Sequence, residues 1–251
     1  MSKKLVPCLI IPDTHIPFHH VKAYKLMLKI AAQVKVQAIV ILGDYLDFYA
    51  VSSHDKYPYM ERLLSRELEK GNEALDELDS IFPRAKKIFI QGNHEWRLER
   101  YINKNAPELF GLVDTKTLLK LDTRKNWEYY KYEPAQFVQI LDSKLYARHE
   151  PLSGGYMPSH HTVMKAGCSI VHGHTHTSQQ SQVVMANGDT HIGISVGWLG
   201  DKKHSAFHYV RGHHQWPIGF GLCYIMSNGN FCIDAIRVID NKAIVHGKIY
   251  E

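Results

Sequence analysis

Four short apolar runs in this chain each stop at a cluster of side chains able to bind metal. Ile10-Ile11-Pro12 stops at Asp13-x-His15, and Ile39-Val40-Ile41-Leu42 stops at Gly43-Asp44-x-x-Asp47. Ile88-Phe89-Ile90-Gln91 stops at Gly92-Asn93-His94-Glu95, and Ser169-Ile170-Val171-His172 at Gly173-His174-Thr175-His176. Runs this short, apolar throughout and bounded by Gly or Pro, read as strands buried on both faces. In α/β sheets the carboxyl ends of such strands open on one crevice, where ligands bind. Clusters far apart in sequence are therefore expected to meet in space.

The segments between these runs suit the same reading. Leu5 to Pro12 is a strand, and about Val21 to Val34 carries Leu26, Ile30 and Val34 at helical spacing. Ala38 to Leu42 is the next strand, so the chain opens as a βαβ unit with parallel strands and a right-handed crossover. A helix from about Met60 to Ile81 turns Leu64, Leu68, Leu75 and Leu78 inward, and Lys87 to Ile90 is the third strand. Residues 100 to 135 are poorly patterned and read as a helical excursion or cap over the rim of the crevice. Phe137–Leu141 and Lys144–Ala147 read as a hairpin turning at Asp142-Ser143. The tail (Val183–Met185, Thr190–Ser195, Phe220–Met226, Phe231–Val238 and Ala243–Lys248) reads as short antiparallel strands. One domain spanning residues 1–251 is expected, with the excursion at about 100–135.

The clusters supply carboxylate, carboxamide and imidazole, the ligands that hard and borderline divalent ions take. Asp13 and His15 can offer two ligands from one strand end. Asp44 follows a glycine that frees the backbone to turn, so its carboxylate can reach two ions. Asn93 offers a carbonyl oxygen, and His174 and His176 stand two residues apart on one side of an extended segment. Paired ions about 3.5–4 Å apart polarise a phosphoryl group, generate hydroxide and clamp the attacking and leaving oxygens.

Taken in order, Asp13-x-His15, Gly43-Asp44-x-x-Asp47, Gly92-Asn93-His94-Glu95, His149 and Gly173-His174-x-His176 resemble the five motifs of the calcineurin-like metallophosphoesterases. The resemblance spans residues 8 to 176. It implies an α/β fold in which a β-sandwich of two mixed sheets is flanked by helices. It further implies that Asp13, His15 and His176 bind one ion, that Asn93, His149 and His174 bind the other, and that Asp44 bridges them. His94 would contact the phosphate and protonate the leaving oxygen, with Asp47 fixing its imidazole. His149 stands in Arg148-His149-Glu150-Pro151, where the family usually has glycine after the histidine; it is chosen because it follows the Leu145-Tyr146-Ala147 strand. His160 and His161, in a polar loop after Gly154-Gly155, are its rivals. Manganese is the first expectation for the two ions, with iron, zinc, nickel and magnesium as alternatives.

The resemblance implies a phosphoester substrate and leaves its class open. Members that act on phosphoproteins usually carry arginine after the last Asp of the second motif, where this chain has Phe48. That difference argues against a protein phosphatase. The run Gly92 to Leu98, with Trp216–Gly221, is similar to calcineurin-like proteins of phages and bacteria. A net charge of +5 leans the same way, toward phosphodiesters of DNA, RNA or nucleotides. A phosphomonoesterase is the alternative enzyme. A non-catalytic scaffold on the same fold would be expected to lack ligands or the acid histidine, and none is missing here.

Other polar residues invite blander readings. Glu95 reads as a helix N-terminal acid, Arg97 as an exposed helix arginine ahead of a partner for a substrate phosphate, and His172 as packing or as support behind the ligands. His19-His20, His204 with His208, and His213-His214 have no evident ligand partners and read as surface or rim. Trp198 reads as part of a loop near the crevice. Tyr209 and Trp216 read as packing, and Lys202-Lys203 with Arg211 as a basic rim or a solvated loop. The four cysteines are scattered without a C-x-x-C pair, so reduced thiols are expected rather than a zinc knuckle. MSKKLVPCLIIP mimics a leader, but its apolar run is too short, and no stretch approaches the ~20 residues of a membrane span. A soluble cytoplasmic protein is expected, in the host's cytoplasm if the gene is a phage's.

Overall fold

Alternation along the apolar runs builds two cores at once. A computed structural model of the chain describes residues 5–56, 63–207 and 216–251. In order, its elements are β1 (Val6–Ile11), α1 (Val21–Val34), β2 (Ala38–Ile41), α2 (Leu64–Ile81), β3 (Lys86–Ile90), α3 (Asn93–Asn105), α4 (Thr115–Leu118), β4 (Trp127–Tyr130), β5 (Val138–Gln139) and β6 (Leu145–Arg148). There follow α5 (Pro158–Ala166), β7 (Ser169–His172), β8 (Ser178–Val184), β9 (Thr190–Val196), β10 (Gly219–Ile225), β11 (Phe231–Arg237), β12 (Ala243–Val245) and β13 (Lys248–Tyr250). One sheet runs β11-β10-β1-β2-β3-β4, a second runs β5-β6-β7-β9-β8, and β12 pairs with β13.

Successive side chains of a strand point to opposite faces. Leu9, Ile11, Ile39, Ile41 and Phe89 face α1, α2 and α3 and join a core with Met27, Ile30, Leu75 and Leu78. Ile10, Val40, Ile88 and Ile90 face the other way and meet Leu145, Ala147, Val171, Ile194 and Val196 of the second sheet. Helix α5 covers the outer face of that second sheet, packing on β7, β8 and β9. The result is helices, sheet, sheet, helix: the α/β sandwich of two mixed sheets that the motifs implied.

β1, β2 and β3 are parallel, and so are β6 and β7. Their carboxyl ends therefore open toward the same end of the sandwich. Two expectations need correction. β9 pairs parallel to β7, not antiparallel; only its other edge, against β8, is antiparallel. The stretch from 100 to 135 is no free-standing cap. Leu119 and Leu121 are buried in the helix-side core, and Trp127–Tyr130 is the parallel edge strand beside β3. Arg124 is held by Asp79 at 2.8 Å and Asp76 at 2.7 Å, on the α2 side of the sheet rather than at the crevice. The expected start of the second helix at Met60, and His208, Tyr209, Arg211, His213 and His214, lie outside the described residues.

Candidate metal centre

All seven side chains singled out as ligands converge at the strand ends. One oxygen or nitrogen from each of Asp13, His15, Asp44 and His176 lies within 4.8 Å of the others, and the same holds for Asp44, His149 and His174. Asp44 belongs to both groups. In the first, His15 Nε2 lies 3.1 Å from His176 Nε2, and His176 Nε2 lies 3.5 Å from Asp13 Oδ1. In the second, Asn93 Oδ1 is 2.8 Å from both His149 Nε2 and His174 Nδ1, and Asp44 Oδ1 is 3.2 Å from His149 Nε2. His160 and His161 stay outside: both ride on α5, where His160 bonds to Ser181 Oγ.

The backbone at these positions is unusual. His15, Asp44, His174 and His176 all have positive φ, between 47° and 64°. Non-glycine residues adopt this left-handed region rarely, and such outliers cluster at functional sites. The loops also press close together. A Cβ on Gly92 would stand 2.3 Å from Asp44 N and Oδ1, so only glycine lets the two loops touch. Glu95 ties them: its Oε2 accepts from Asp44 N (3.0 Å) and Gly92 N (2.8 Å), and its Oε1 from Leu46 N (2.8 Å). The helix-terminal acid read from the sequence is thus also a buried clamp between two motif loops. Burial and the charge of Asp44 push its carboxyl up to about 7.

Second partners orient the imidazoles. His149 Nδ1 donates to Leu42 O at 2.8 Å, which leaves Nε2 facing Asp44 and Asn93. His15 Nδ1 lies 3.0 Å from Asp47 Oδ2, which leaves Nε2 facing His176. A ring nitrogen held this way is typical of metal-binding histidines. Burial raises the Asp44 carboxyl, but the neighbouring His149, His94 and His15 outweigh it and hold it well below the usual range. Burial lowers His149, but the Asp44 and Asp13 carboxylates outweigh that and lift it to about 10. Burial lowers His176 and His174. Asp13 Oδ2 and His176 Nδ1 are buried without a hydrogen-bond partner. Lone pairs of imidazole, carboxylate and carboxamide converging on two points fit divalent ions.

Asp47 sits beside His94 as expected, but its attachment differs. His94 Nδ1 donates to the main-chain carbonyl of Asp47 at 2.9 Å; the carboxylate is nearer His15 than His94, at 3.0 Å against 3.4 Å. His94 Nε2 lies 3.7 Å from Asp44 Oδ2. Arg97, read as an exposed helix residue, is instead mostly buried and reaches both partners. Its Nη2 is 2.8 Å from His94 Nε2, and its Nη1 is 3.0 Å from Asp47 O. Its sequence signal is its place one helical turn after His94. Aromatic rings close the His15 side. Trp198 stacks on His176 at 4.8 Å, Trp216 meets it edge-on at 4.3 Å, and Phe207 stands 5.6 Å from His15. His172 is packing as expected, bonded to Ser159 Oγ and Gly173 O. His20, read as surface or rim, caps α1 through Ala23 N, and His204 stacks on Phe18.

Space opens on both sides of the centre. A groove of about 1550 Å³ runs from His174 and Glu150 past Tyr156, Gln179 and Lys202. A pocket of about 400 Å³ lies between His94, Arg97, Tyr49 and Ser52.

Comparison with known proteins gives a family and a fold. The family model described as calcineurin-like phosphoesterase matches residues 6–247. The Gene 54 proteins of Mycobacterium phages D29 and L5 are 24% and 23% identical to this chain, with all of each chain covered. Vacuolar protein sorting 29 from Cryptosporidium parvum superposes with a TM-score of 0.50 at 16% identity, over 98% of this chain and 94% of that one. At that identity the likeness shows the fold alone.

Proposed function

The chain belongs to the calcineurin-like phosphoesterase family, and on that premise we propose that it is a dinuclear phosphodiesterase. Asp13, His15 and His176 would hold one divalent ion, Asn93, His149 and His174 a second, and Asp44 would serve both. The observation that carries this reading is the membership of Asp44 in both ligand groups. Such ions, when bound, supply Lewis acidity at the phosphoryl oxygens and a nucleophile at neutral pH. The mixed oxygen and nitrogen donors favour manganese, with iron, zinc, nickel and magnesium as alternatives.

The rest of the chemistry belongs to the protein. His94, with its Nδ1–H committed to Asp47 O, presents Nε2 to the departing oxygen; once that nitrogen has taken up a proton from solvent, it delivers it there. Asp47 orients His15 through its carboxylate and His94 through its carbonyl. The aromatic wall of Trp198, Trp216 and Phe207 keeps water from the His15 side, where charge interactions are strongest. Cavities on both sides of the centre support a diester, which has two arms to place, over a monoester, which has one. DNA, RNA or a nucleotide fits the positive net charge. Among the described residues no helix is long and apolar enough to cross a membrane. With phage relatives, the cytoplasm of a host cell is the proposed location.

The test is a metal screen against bis-p-nitrophenyl phosphate, p-nitrophenyl phosphate, single- and double-stranded DNA and cyclic nucleotides, with metal content read by elemental analysis. Two ions per chain and faster diester turnover are expected. A fully active protein with one ion, or a preference for the monoester, would refute the proposal.

A further inference from the structure

Arg97 is a mostly buried guanidinium beside the residue placed at the leaving oxygen. Its side chain is 16% exposed, and its nearest carboxylate oxygen, Asp47 Oδ1, is 3.5 Å away. Its closer contacts are to neutral acceptors, the Asp47 carbonyl at 3.0 Å and His94 Nε2 at 2.8 Å. Among the described residues that line the 400 Å³ pocket, it is the one lysine or arginine. Phe48, which follows Asp47, is fully buried and brings no charge to the site.

The contact with His94 is informative. A carbonyl only accepts, so His94 Nδ1 carries the hydrogen toward Asp47 O, and Nε2 accepts from Arg97. Nε2 is also the atom that must face the leaving oxygen. An incoming phosphoester therefore meets the guanidinium first, and His94 is free to face it only when Arg97 gives way. A phosphoryl oxygen within hydrogen-bond reach of Nε2 lies within a small rotation of Nη2. The planar guanidinium fork matches two oxygens of a phosphate.

We propose that Arg97 is the phosphate-binding cation of this centre: it leaves His94 Nε2 for a non-bridging phosphoryl oxygen when substrate enters beside the 47/94/97 pocket. No bond is made or broken in this step; one hydrogen bond replaces another. The proposal rests on the phosphoesterase reading above.

The test is calorimetric titration of inorganic phosphate into the manganese-loaded protein and its Arg97→Gln and Arg97→Lys variants, with kinetics on bis-p-nitrophenyl phosphate alongside. Loss of a charge-assisted pair of hydrogen bonds should weaken phosphate binding roughly 10- to 100-fold in Arg97→Gln. KM should rise with it while metal content stays unchanged. Arg97→Lys should fall between, because lysine keeps the charge and loses the fork. Unchanged phosphate affinity with a fall in kcat alone would overturn the proposal and leave Arg97 as a support for His94. Should Arg97→Gln fail to fold, Arg97→Lys decides: several-fold weaker phosphate binding supports the assignment, and wild-type affinity overturns it. If the wild-type protein takes up metal but neither hydrolyses a phosphoester nor binds phosphate, the phosphoesterase reading itself fails, which is a different result.

Discussion

The two halves of the centre differ in their access to water. The side chains of His15 and His176 are 1% and 8% exposed, behind Trp198, Trp216 and Phe207. In the other half the His174 side chain is 40% exposed and borders the large groove. A closed half with fixed imidazoles suits an ion that stays. An open half, bordering the large groove, suits an ion that exchanges with solvent more readily. The difference owes much to the tail of the chain, which returns as β10 beside β1 and brings Trp216 against His176.

The strongest way to break this comparison is to remove what both halves share. Asp44→Asn should strip both ions and lower activity more than roughly 100-fold, whereas Asp13→Asn should cost one ion and less activity. Elemental analysis and rates of the two variants check this; equal losses would deny Asp44 its double role. His94→Asn comes next. It should keep both ions and lose roughly 10²–10⁴ in rate on an alkyl diester, with a much smaller loss on bis-p-nitrophenyl phosphate, whose leaving group departs without a proton. Loss of an ion, or equal loss on both substrates, would show that His94 is not the acid.

Much of this site is legible in the sequence because each cluster is contiguous with the strand that carries it. Asp13 and His15, Asp44, Asn93, and His174 with His176 need only parallel strands to meet. What escapes is set by contacts between distant segments. Arg97 reads as a solvated helix residue, yet α3 packs against the loop after Asp47 and buries most of its side chain. Asp47 reads as the partner of His94, while its carboxylate turns to His15, brought close by a different loop. Trp127–Tyr130 lies among lysine and asparagine residues, and only its pairing with β3 makes it a strand. The parallel docking of β9 on β7 leaves no local signature at all, since hairpin-like spacing favours the antiparallel partner β8 alone.

Smaller effects sharpen the contrast between the halves. Brief treatment with a chelator should remove the ion of the His174 half first and give a chain with one ion before none. His174→Ala should start in that state. Loss of both ions together, followed by elemental analysis over time, would mean that the halves do not differ. The smallest effect concerns Glu67, which accepts from Tyr49 N (3.0 Å) and Ala50 N (2.8 Å) and holds the turn beside the 47/94/97 pocket. Burial and the nearby Asp47 charge raise its carboxyl to about 7. A folded value above the unfolded one stabilises the protonated form. That contribution is complete below about pH 4.5 and is lost as pH rises through about 7. The melting temperature of the wild type should therefore decline relative to Glu67→Gln between pH 5 and pH 8. Parallel curves would remove Glu67 from the account.

The Glu95 clamp has a consequence for how quickly the protein becomes active. Its carboxylate joins the backbones at Asp44, Leu46 and Gly92 without the help of any ligand side chain. The ordering entropy of these loops is therefore borne by folding, not by metal capture. An apoprotein made in a metal-poor cell would keep its ligands in place. It could load within one encounter when ions arrive, without first refolding around them.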